Sequence, residues 1–262
     1  MKHRALYVSI VLAVGLAFIY LPIIVLGLFS FHDGRAAVPP FNGPTLKWYF
    51  EVLRNPRIGE AAINSFILGV VSSAISTGLG FLAAYGLGRF RLSGDTLLRG
   101  AVMLPMNVSY LVIGMGLLVL MRGLDLPLGL PAACLAHVVM TLPLSFAICQ
   151  ASITPQQVRL EMAAKDLGAS QWMILRRLTI GLCWPSIFAS FCLAFTLSWD
   201  EFIMTYLLTR FDVTIPISIW GMMRTGLNPE TNALGMMVFA VSLILFFTFE
   251  FIYFRSPKGA KP

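Results

Sequence analysis

The chain has 262 residues, of which 58% are hydrophobic and 12% are charged, and its mean hydropathy is +0.81. Soluble domains carry about 25% charged residues, so a water-soluble fold would have no place for this much apolar surface. The composition therefore excludes a secreted disulfide module, a disordered chain and a DNA-binding domain, and it predicts an integral membrane protein.

The net charge is +7, and the Lys and Arg residues lie at the ends of apolar runs. Basic residues in these positions set the orientation of membrane-spanning segments. A nucleic-acid-binding domain would instead cluster Lys and Arg on one face, so we predict contact with the lipid bilayer and no nucleic-acid partner. The cysteines and histidines show neither C-x-x-C spacing nor neighbouring ligand residues, which predicts no metal site. They are Cys134, Cys149, Cys183, Cys192, His3, His32 and His137.

Six apolar stretches are long enough to cross the hydrocarbon core, which takes about 20 helical residues. They are Ala5–Phe29, Ala61–Leu87, Ala101–Met121, Leu130–Cys149, Pro185–Leu208 and Ala233–Phe254. The first is too long for a cleaved signal and no cleavage site follows it, so we interpret it as a retained anchor. The predicted fold of residues 1–262 is a single all-α membrane domain of six transmembrane helices.

The distribution of Lys and Arg predicts that both termini lie in the cytoplasm. With that orientation the inside segments hold the larger share of the 19 basic residues, as the positive-inside rule requires. The outside segments then hold only Arg35, Lys47, Arg54, Arg57, Arg122, Arg210 and Arg224.

Two local patterns concern the first half of the chain. The segment Thr45–Arg54 predicts a short amphipathic helix whose aromatic residues, beginning with Trp48, lie at the membrane surface.

In the second span, Gly80, Ala84 and Gly88 repeat every four residues, a spacing that lets two membrane helices approach closely. This stripe predicts helix packing inside the bundle.

The longest polar interruption, residues 150–184, carries helix start and stop signals. Thr154 predicts an N-cap, with Gln157 reaching back to complete a reciprocal capping box. Gly168 predicts a left-handed helix stop, and Ser170 predicts the cap of a second helix. The interruption is therefore predicted to be a cytoplasmic helix, a glycine turn and another helix.

One face of the first of these helices has low relief. Leu160, Ala163, Ala164 and Leu167 fall on that face at helical spacing. Such a face can seat in a groove of another protein, and the alternative is a helix pair that lies on the membrane surface.

The pattern Ala163-Ala164-x-x-x-Gly168, followed by residues 176–180, resembles the EAA loop of importer permeases of the ATP-binding cassette (ABC) superfamily. Two positions depart from the family pattern. The family's Glu before the paired alanines is Met162 here, with Glu161 one position earlier, and the Pro that usually ends the loop is Gly181.

The resemblance implies that this loop couples the membrane domain to an ATPase. In that family the loop docks on a cytoplasmic ATPase subunit, so residues 150–184 are expected to be the coupling loop within a type I ABC importer transmembrane domain. The residues carried over are Glu161, Met162, Ala163, Ala164, Asp166 and Gly168.

Residues 198–202 and 226–234 are similar to segments of spermidine/putrescine importer permeases, most narrowly the second permease subunit. The resemblance implies a bacterial inner-membrane subunit that imports polyamines. Its implied partners are a homologous permease subunit, two copies of an ABC ATPase and a periplasmic or extracellular solute-binding protein. ATP is then bound by the ATPase, and this chain needs no cofactor.

Asp200 and Glu201 are adjacent and lie about 15 residues into the fifth predicted span, which corresponds to roughly 22 Å along a helix. An ionisable group at such a depth normally faces a cavity or a partner. We predict that Asp200 lines the pathway and that Glu201 faces a helix neighbour or the outer surface. The alternative is that the span ends early and both acids are interfacial. The candidate pathway residues are Trp199, Asp200, Glu201, Tyr206 and Trp220.

The chain contains no G-x-S-x-G, H-E-x-x-H or P-loop motif, so we predict that it is not an enzyme and that ATP hydrolysis occurs on another polypeptide. Four alternatives stay open. They are a permease for another small organic solute (amino-acid-like, opine or phosphonate), an ion-coupled secondary transporter, an intramembrane enzyme and a non-transporting scaffold.

Overall fold

The computed structural model describes residues 2–34, 36–90, 94–226 and 228–255, and these residues are almost entirely helical. The helices are α1 (Lys2–Ser30), α2 (Lys47–Arg54), α3 (Pro56–Arg89), α4 (Asp95–Met103), α5 (Tyr110–Gly123), α6 (Leu130–Ser152), α7 (Pro155–Asp166), α8 (Gln171–Met173), α9 (Ile180–Asp200), α10 (Ile203–Leu208), α11 (Ile215–Thr225) and α12 (Pro229–Arg255). A 3₁₀ turn, Leu104–Asn107, follows α4, and a π-helical turn, Ile174–Thr179, joins α8 to α9.

The chain forms two compact units. The first comprises Met1–Glu60 and Ser218–Leu243, and the second comprises Ala61–Ile217 and Ile244–Pro262. The second unit contains α4 to α10 and most of α3, and therefore holds the predicted coupling loop and the two membrane acids.

In the first unit, the loop between α1 and α2 is organised around the buried side chain of His32. Its Nδ1 accepts a hydrogen bond from the backbone N–H of Asn42 at 3.2 Å, and its carbonyl accepts one from Nε1 of Trp48 at 2.9 Å. The predicted short helix is confirmed as α2, two residues shorter at its start than expected. Trp48 therefore fastens the loop, whereas the neighbouring Phe50 stays exposed.

Four of the six predicted spans, the first, second, fourth and sixth, each lie within one helix of the structure. Among the described residues, five helices are long and apolar enough to cross a membrane, and the pair Asp95–Asn107 and Tyr110–Gly123 makes a sixth if it is taken as one broken span. The prediction of a continuous third span, Ala101–Met121, was wrong, because the axis turns by 104° between the two pieces. Pro105 lies in the 3₁₀ turn before the bend, where it lacks the N–H that a helix requires.

The fifth predicted span, Pro185–Leu208, is also interrupted. Helix α9 begins earlier, at Ile180, and ends at Asp200. The backbone of Glu201 is extended, with φ −73° and ψ 126°, and the short helix α10 begins at Ile203. The break thus falls at the two adjacent acids.

Helix α6 provides the centre of the second unit. Its small side chains pack against residues of α3, α5 and α10 in one core cluster, which contains Leu68, Met121, Ala132, Ala133, Ala136, Met140, Met204 and Leu208. The predicted small-residue stripe is confirmed by the contact of α3 with α6. A Cβ added to Gly80 would lie 2.7 Å from the backbone nitrogen of Phe146, and Ala84 is fully buried.

Candidate functional site

The predicted coupling loop has the local structure that its capping signals indicate. The Thr154 hydroxyl accepts a hydrogen bond from the backbone N–H of Gln157 at 3.3 Å, at the start of α7. Gly168 has φ +83°, the left-handed conformation that ends the helix. The Ser170 hydroxyl caps α8 by accepting from the N–H of Met173 at 3.3 Å. The predicted helix, glycine turn and second helix are therefore confirmed.

The reciprocal half of the predicted capping box was wrong. The Gln157 side chain does not reach back to Thr154, because it is buried and its Nε2 donates to the sulfur of Cys183 in α9 at 3.2 Å. This contact ties the first turn of α7 to the membrane helix that follows it.

A second and stronger tie comes from Glu161. Its carboxylate forms an ion pair with the guanidinium of Arg89 at the end of α3. The hydroxyl of Thr179, in the π-helical turn before α9, donates to Oε1 of Glu161 at 2.7 Å. The side chains of Arg89 and Glu161 are only 11% and 8% exposed. One carboxylate therefore joins α7 to the ends of two membrane helices.

The opposite side of α7 is open to a partner. Met162 is 60% exposed and Leu160 is 53% exposed, and Leu167, just after the helix, is 89% exposed. Ala163 is also exposed, whereas Ala164 is half-buried. Asp166 and Gly168 lie exposed at the end of the same segment. Among the described residues, three members of the predicted low-relief face, Leu160, Ala163 and Leu167, are thus exposed, and Ala164 lies at its partly covered edge.

Asp200 is the last residue of α9 and its side chain is exposed. No described residue forms an ion pair with it. Glu201, in contrast, is buried, and its carboxylate accepts hydrogen bonds from the backbone N–H groups of Met204 at 2.8 Å and Thr205 at 3.0 Å. Glu201 thereby satisfies two of the N–H groups that the first turn of α10 leaves without helical partners.

The buried carboxylate of Glu201 also faces a histidine. Nε2 of His137, in α6, lies 3.4 Å from Oε2 of Glu201 and 2.8 Å from Oγ1 of Thr205. The imidazole is completely buried. Because both acids sit at one break but point into different surroundings, only Asp200 presents its charge outside the packed interior.

The predicted pathway aromatics differ in exposure. Trp199 is buried, and its ring stacks on Phe195 at a centroid distance of 5.8 Å. Tyr206 is 50% exposed, with its ring 5.4 Å from that of Phe202. Trp220, in α11 and in the first unit, is 43% exposed. Trp199 therefore packs within the helices, whereas Tyr206 and Trp220 offer ring surface.

Sequence reasoning missed the structural parts played by Arg89 and His137. Arg89 was expected only as one of the cytoplasmic charges, and no local pattern connects it with Glu161, because the two are far apart in the chain. A signal did exist for His137, since an ionisable residue inside an apolar span normally pairs with another polar group.

Comparison with known proteins places these features in a family. The family model described as "Binding-protein-dependent transport system inner membrane component" matches residues 76–256. The spermidine/putrescine transport system permease protein PotC of Escherichia coli (strain K12) is 32% identical over 244 residues, which cover 93% of this chain and 92% of that protein. The putrescine transport system permease protein PotI of the same strain is 27% identical over 257 residues, covering 95% and 91%.

The fold is also similar to that of solved structures. A chain of a bacterial ABC transporter involved in the import of the acidic polysaccharide alginate superposes with a TM-score of 0.76 at 16% identity, over 98% of this chain and 97% of that one. A chain of the MetNI methionine ABC transporter, in an inward-facing conformation, gives a TM-score of 0.62 at 14% identity, over 80% and 97%. At these identities the likeness concerns the fold alone.

Proposed function

Because the chain belongs to the family of inner membrane components of binding-protein-dependent transport systems, we propose that it encloses half of the pathway of an ATP-driven importer for spermidine and putrescine. The observation that supports polyamines as the cargo is the 32% identity with PotC over 93% of the chain. The similarity to PotI supports the same class of cargo. As a family member, the chain is a multi-pass permease subunit of the inner membrane.

The proposed assembly has four kinds of component. A homologous permease subunit encloses the other half of the pathway, two ABC ATPase subunits dock beneath the pair, and a periplasmic or extracellular solute-binding protein delivers cargo. One structural relative was solved in complex with an alginate pentasaccharide-bound periplasmic protein, which supports a partner of this kind. ATP binds to the ATPases, and we assign this chain neither a catalytic residue nor a cofactor.

Residues 1–262 are proposed to form one transmembrane domain with both termini in the cytoplasm, as the distribution of basic residues favours. The segment 150–184 then lies on the cytoplasmic side. Its exposed side, which includes Met162 and Ala163, is the proposed contact with the ATPase. That contact also includes Ala164 at the edge of the exposed side. At the end of α7 it includes Asp166 and Gly168.

Coupling requires that a push on α7 reach the membrane helices. Glu161 is proposed to transmit it, since this residue binds Arg89 of α3 and Thr179 before α9. Closure of the ATPases would move α7, and these two contacts would carry the movement into α3 and α9. ATP hydrolysis would then reset the bundle.

The proposed cargo is cationic, and the exposed carboxylate of Asp200 offers an ammonium group a charge partner. Tyr206 and Trp220 expose ring faces, and a cation–π contact contributes about 0.5–2 kcal/mol. Weak contacts of this kind suit transport, because a tight site would not release its cargo. Trp199 and Glu201 support the pathway from buried positions.

The cargo is tested by uptake of radiolabelled spermidine and putrescine into cells that express the complete importer. We expect ATP-dependent uptake, with a KM that rises several-fold in Asp200→Asn. Asp125→Asn is the matched control, because Asp125 has φ +51°, a conformation that Asn tolerates. Intact assembly without uptake of either polyamine would refute the cargo, and uptake abolished by an uncoupler with ATP intact would favour an ion-coupled transporter.

The coupling contact is tested by Ala164→Arg, which places a long cation at the edge of the exposed face of α7. We expect the ATPase to be lost on co-purification and ATP-driven uptake to stop. Full ATPase assembly and normal transport in this variant would refute the proposed docking face.

A further inference from the structure

Five buried polar side chains meet around the break between α9 and α10. The ring of His137 lies with Nδ1 2.6 Å from Oγ of Ser198 and Nε2 2.8 Å from Oγ1 of Thr205. Oγ of Ser198 also lies 3.0 Å from Oγ of Ser72 in α3, and Thr205 donates to Oε2 of Glu201 at 3.1 Å. We call Ser72, His137, Ser198, Glu201 and Thr205 the His137 cluster.

The protons of the His137 cluster can be assigned so that its hydrogen bonds form one continuous chain. Ser72 donates to Ser198, and Ser198 donates to Nδ1 of His137. The N–H at Nε2 then donates to Thr205, and Thr205 donates to Glu201. The imidazole is the member that connects the two halves of this chain, so its loss would separate them.

The two hydroxyls that His137 binds lie on opposite sides of the break. Ser198 belongs to the last turn of α9, just before Asp200, whereas Thr205 belongs to α10. A buried bridge across the break fixes the angle between the two helices. It therefore also fixes the direction in which the exposed carboxylate of Asp200 is presented.

We propose that His137 is a positioning residue for cargo passage, which holds the break between α9 and α10 and does not itself touch the cargo. This inference rests on the proposed function, in which Asp200 meets the cargo. It predicts that damage to the His137 cluster alters the presentation of residue 200 without removing the acid itself.

Helix α9 supplies a matched control. Ser190 is buried, like Ser198, and its Oγ lies 3.3 Å from Oγ1 of Thr77 in α3. Both serines of α9 therefore make a buried hydroxyl contact with α3. Of the two, only Ser198 also contacts His137. Ser190→Ala removes a comparable contact at a distance from the break.

The geometry of the break is measured without reference to transport. Asp200→Cys is introduced into the complete importer in nanodiscs, and the labelling rate with a water-soluble methanethiosulfonate is corrected by subtracting the labelling of the same importer with Asp200 in place, which accounts for the four cysteines of this chain and for those of the other subunits. We expect His137→Asn and Ser198→Ala each to change this rate at least threefold, and Ser190→Ala to change it less than threefold. With Asp200 in place, the first two substitutions should raise the KM for polyamine uptake at least threefold, and Ser190→Ala should not.

The inference is overturned if His137→Asn and Ser198→Ala leave the labelling rate within threefold, or if Ser190→Ala changes it as much as Ser198→Ala does. Wild-type importer that takes up neither polyamine would refute the proposed cargo instead, and the labelling rates would still decide the role of His137. If His137→Asn does not assemble, His137→Gln replaces it, with the same threshold.

Discussion

Replacing one member of the ion pair between Arg89 and Glu161 by an apolar residue should destabilise the protein strongly. Replacing both members should destabilise it much less. Their side chains are only 11% and 8% exposed, so Glu161→Leu leaves a guanidinium buried without its counter-charge and takes the acceptor from Thr179. Removing one member of a buried pair costs about 3–5 kcal/mol. Because both groups keep some contact with solvent, we expect Glu161→Leu and Arg89→Met each to lower the free energy of unfolding by about 3 kcal/mol.

The double substitution distinguishes this reasoning from simple loss of contacts. Replacing a buried ion pair by apolar side chains of similar volume is often neutral or stabilising. The double variant Arg89→Met with Glu161→Leu removes both charges but still leaves the buried Thr179 hydroxyl without its acceptor, which costs about 1–3 kcal/mol. We therefore expect the double variant to lose about 1–3 kcal/mol, far from the roughly 6 kcal/mol that additivity of the single changes would give.

The assay is SDS-induced unfolding in mixed micelles, which reports the free energy of unfolding of each variant. The exposed pair of Lys47 and Glu51 is the control, since its side chains are 59% and 44% exposed and such pairs contribute about 0–1 kcal/mol. Glu51→Gln should therefore change the free energy of unfolding by less than about 1 kcal/mol. Single changes that add up in the double variant would refute the buried-charge argument.

Three further changes test the packing and the capping of the helices. Gly80→Ala should cost about 1–3 kcal/mol of unfolding free energy, because the new Cβ would lie 2.7 Å from the nitrogen of Phe146; Gly78→Ala, with nothing within 4 Å, should cost nothing. Gly168→Ala should cost about 1–2 kcal/mol, since the backbone there has φ +83°, and proteolysis of the loop should accelerate. Thr154→Ala should cost about 1 kcal/mol through the lost cap, and an unchanged unfolding curve would contradict it.

The features of the coupling loop that could be predicted are those whose cause is local. A cap connects residues three positions apart, and a left-handed stop requires one glycine, so Thr154, Gly168 and Ser170 could be read from the sequence. Gln157 shows the limit of this reasoning. The sequence places a possible partner for its side chain nearby, at Thr154. In the structure the side chain is buried against α9 and donates to the sulfur of Cys183 instead. Only the tertiary structure decides between these two partners.

Hydropathy predicts where spans lie but does not detect breaks inside them. Apolar residues flank the bend after Pro105 and the break after Asp200, so composition alone treats each region as continuous. The break after Asp200 has a cause that could be suspected from the sequence, since each of two adjacent acids in a span needs either a cavity or a polar partner. The partners of Glu201 could not be identified from the sequence, because His137 and Thr205 reach Glu201 from different helices.

The acid of α7 lies at position 161, one position before Met162, and this placement has a consequence for coupling. Neighbouring helix positions point about 100° apart, so a glutamate at 162 would lie on the exposed side of α7, where Met162 is 60% exposed. At position 161 the carboxylate instead points inward and holds Arg89 and Thr179. This chain therefore uses its acid to fasten α7 to its own membrane helices and offers its proposed ATPase an apolar side chain. A partner groove that receives Met162 should accordingly be apolar at that point, and Met162→Glu should weaken ATPase co-purification while leaving the unfolding free energy unchanged.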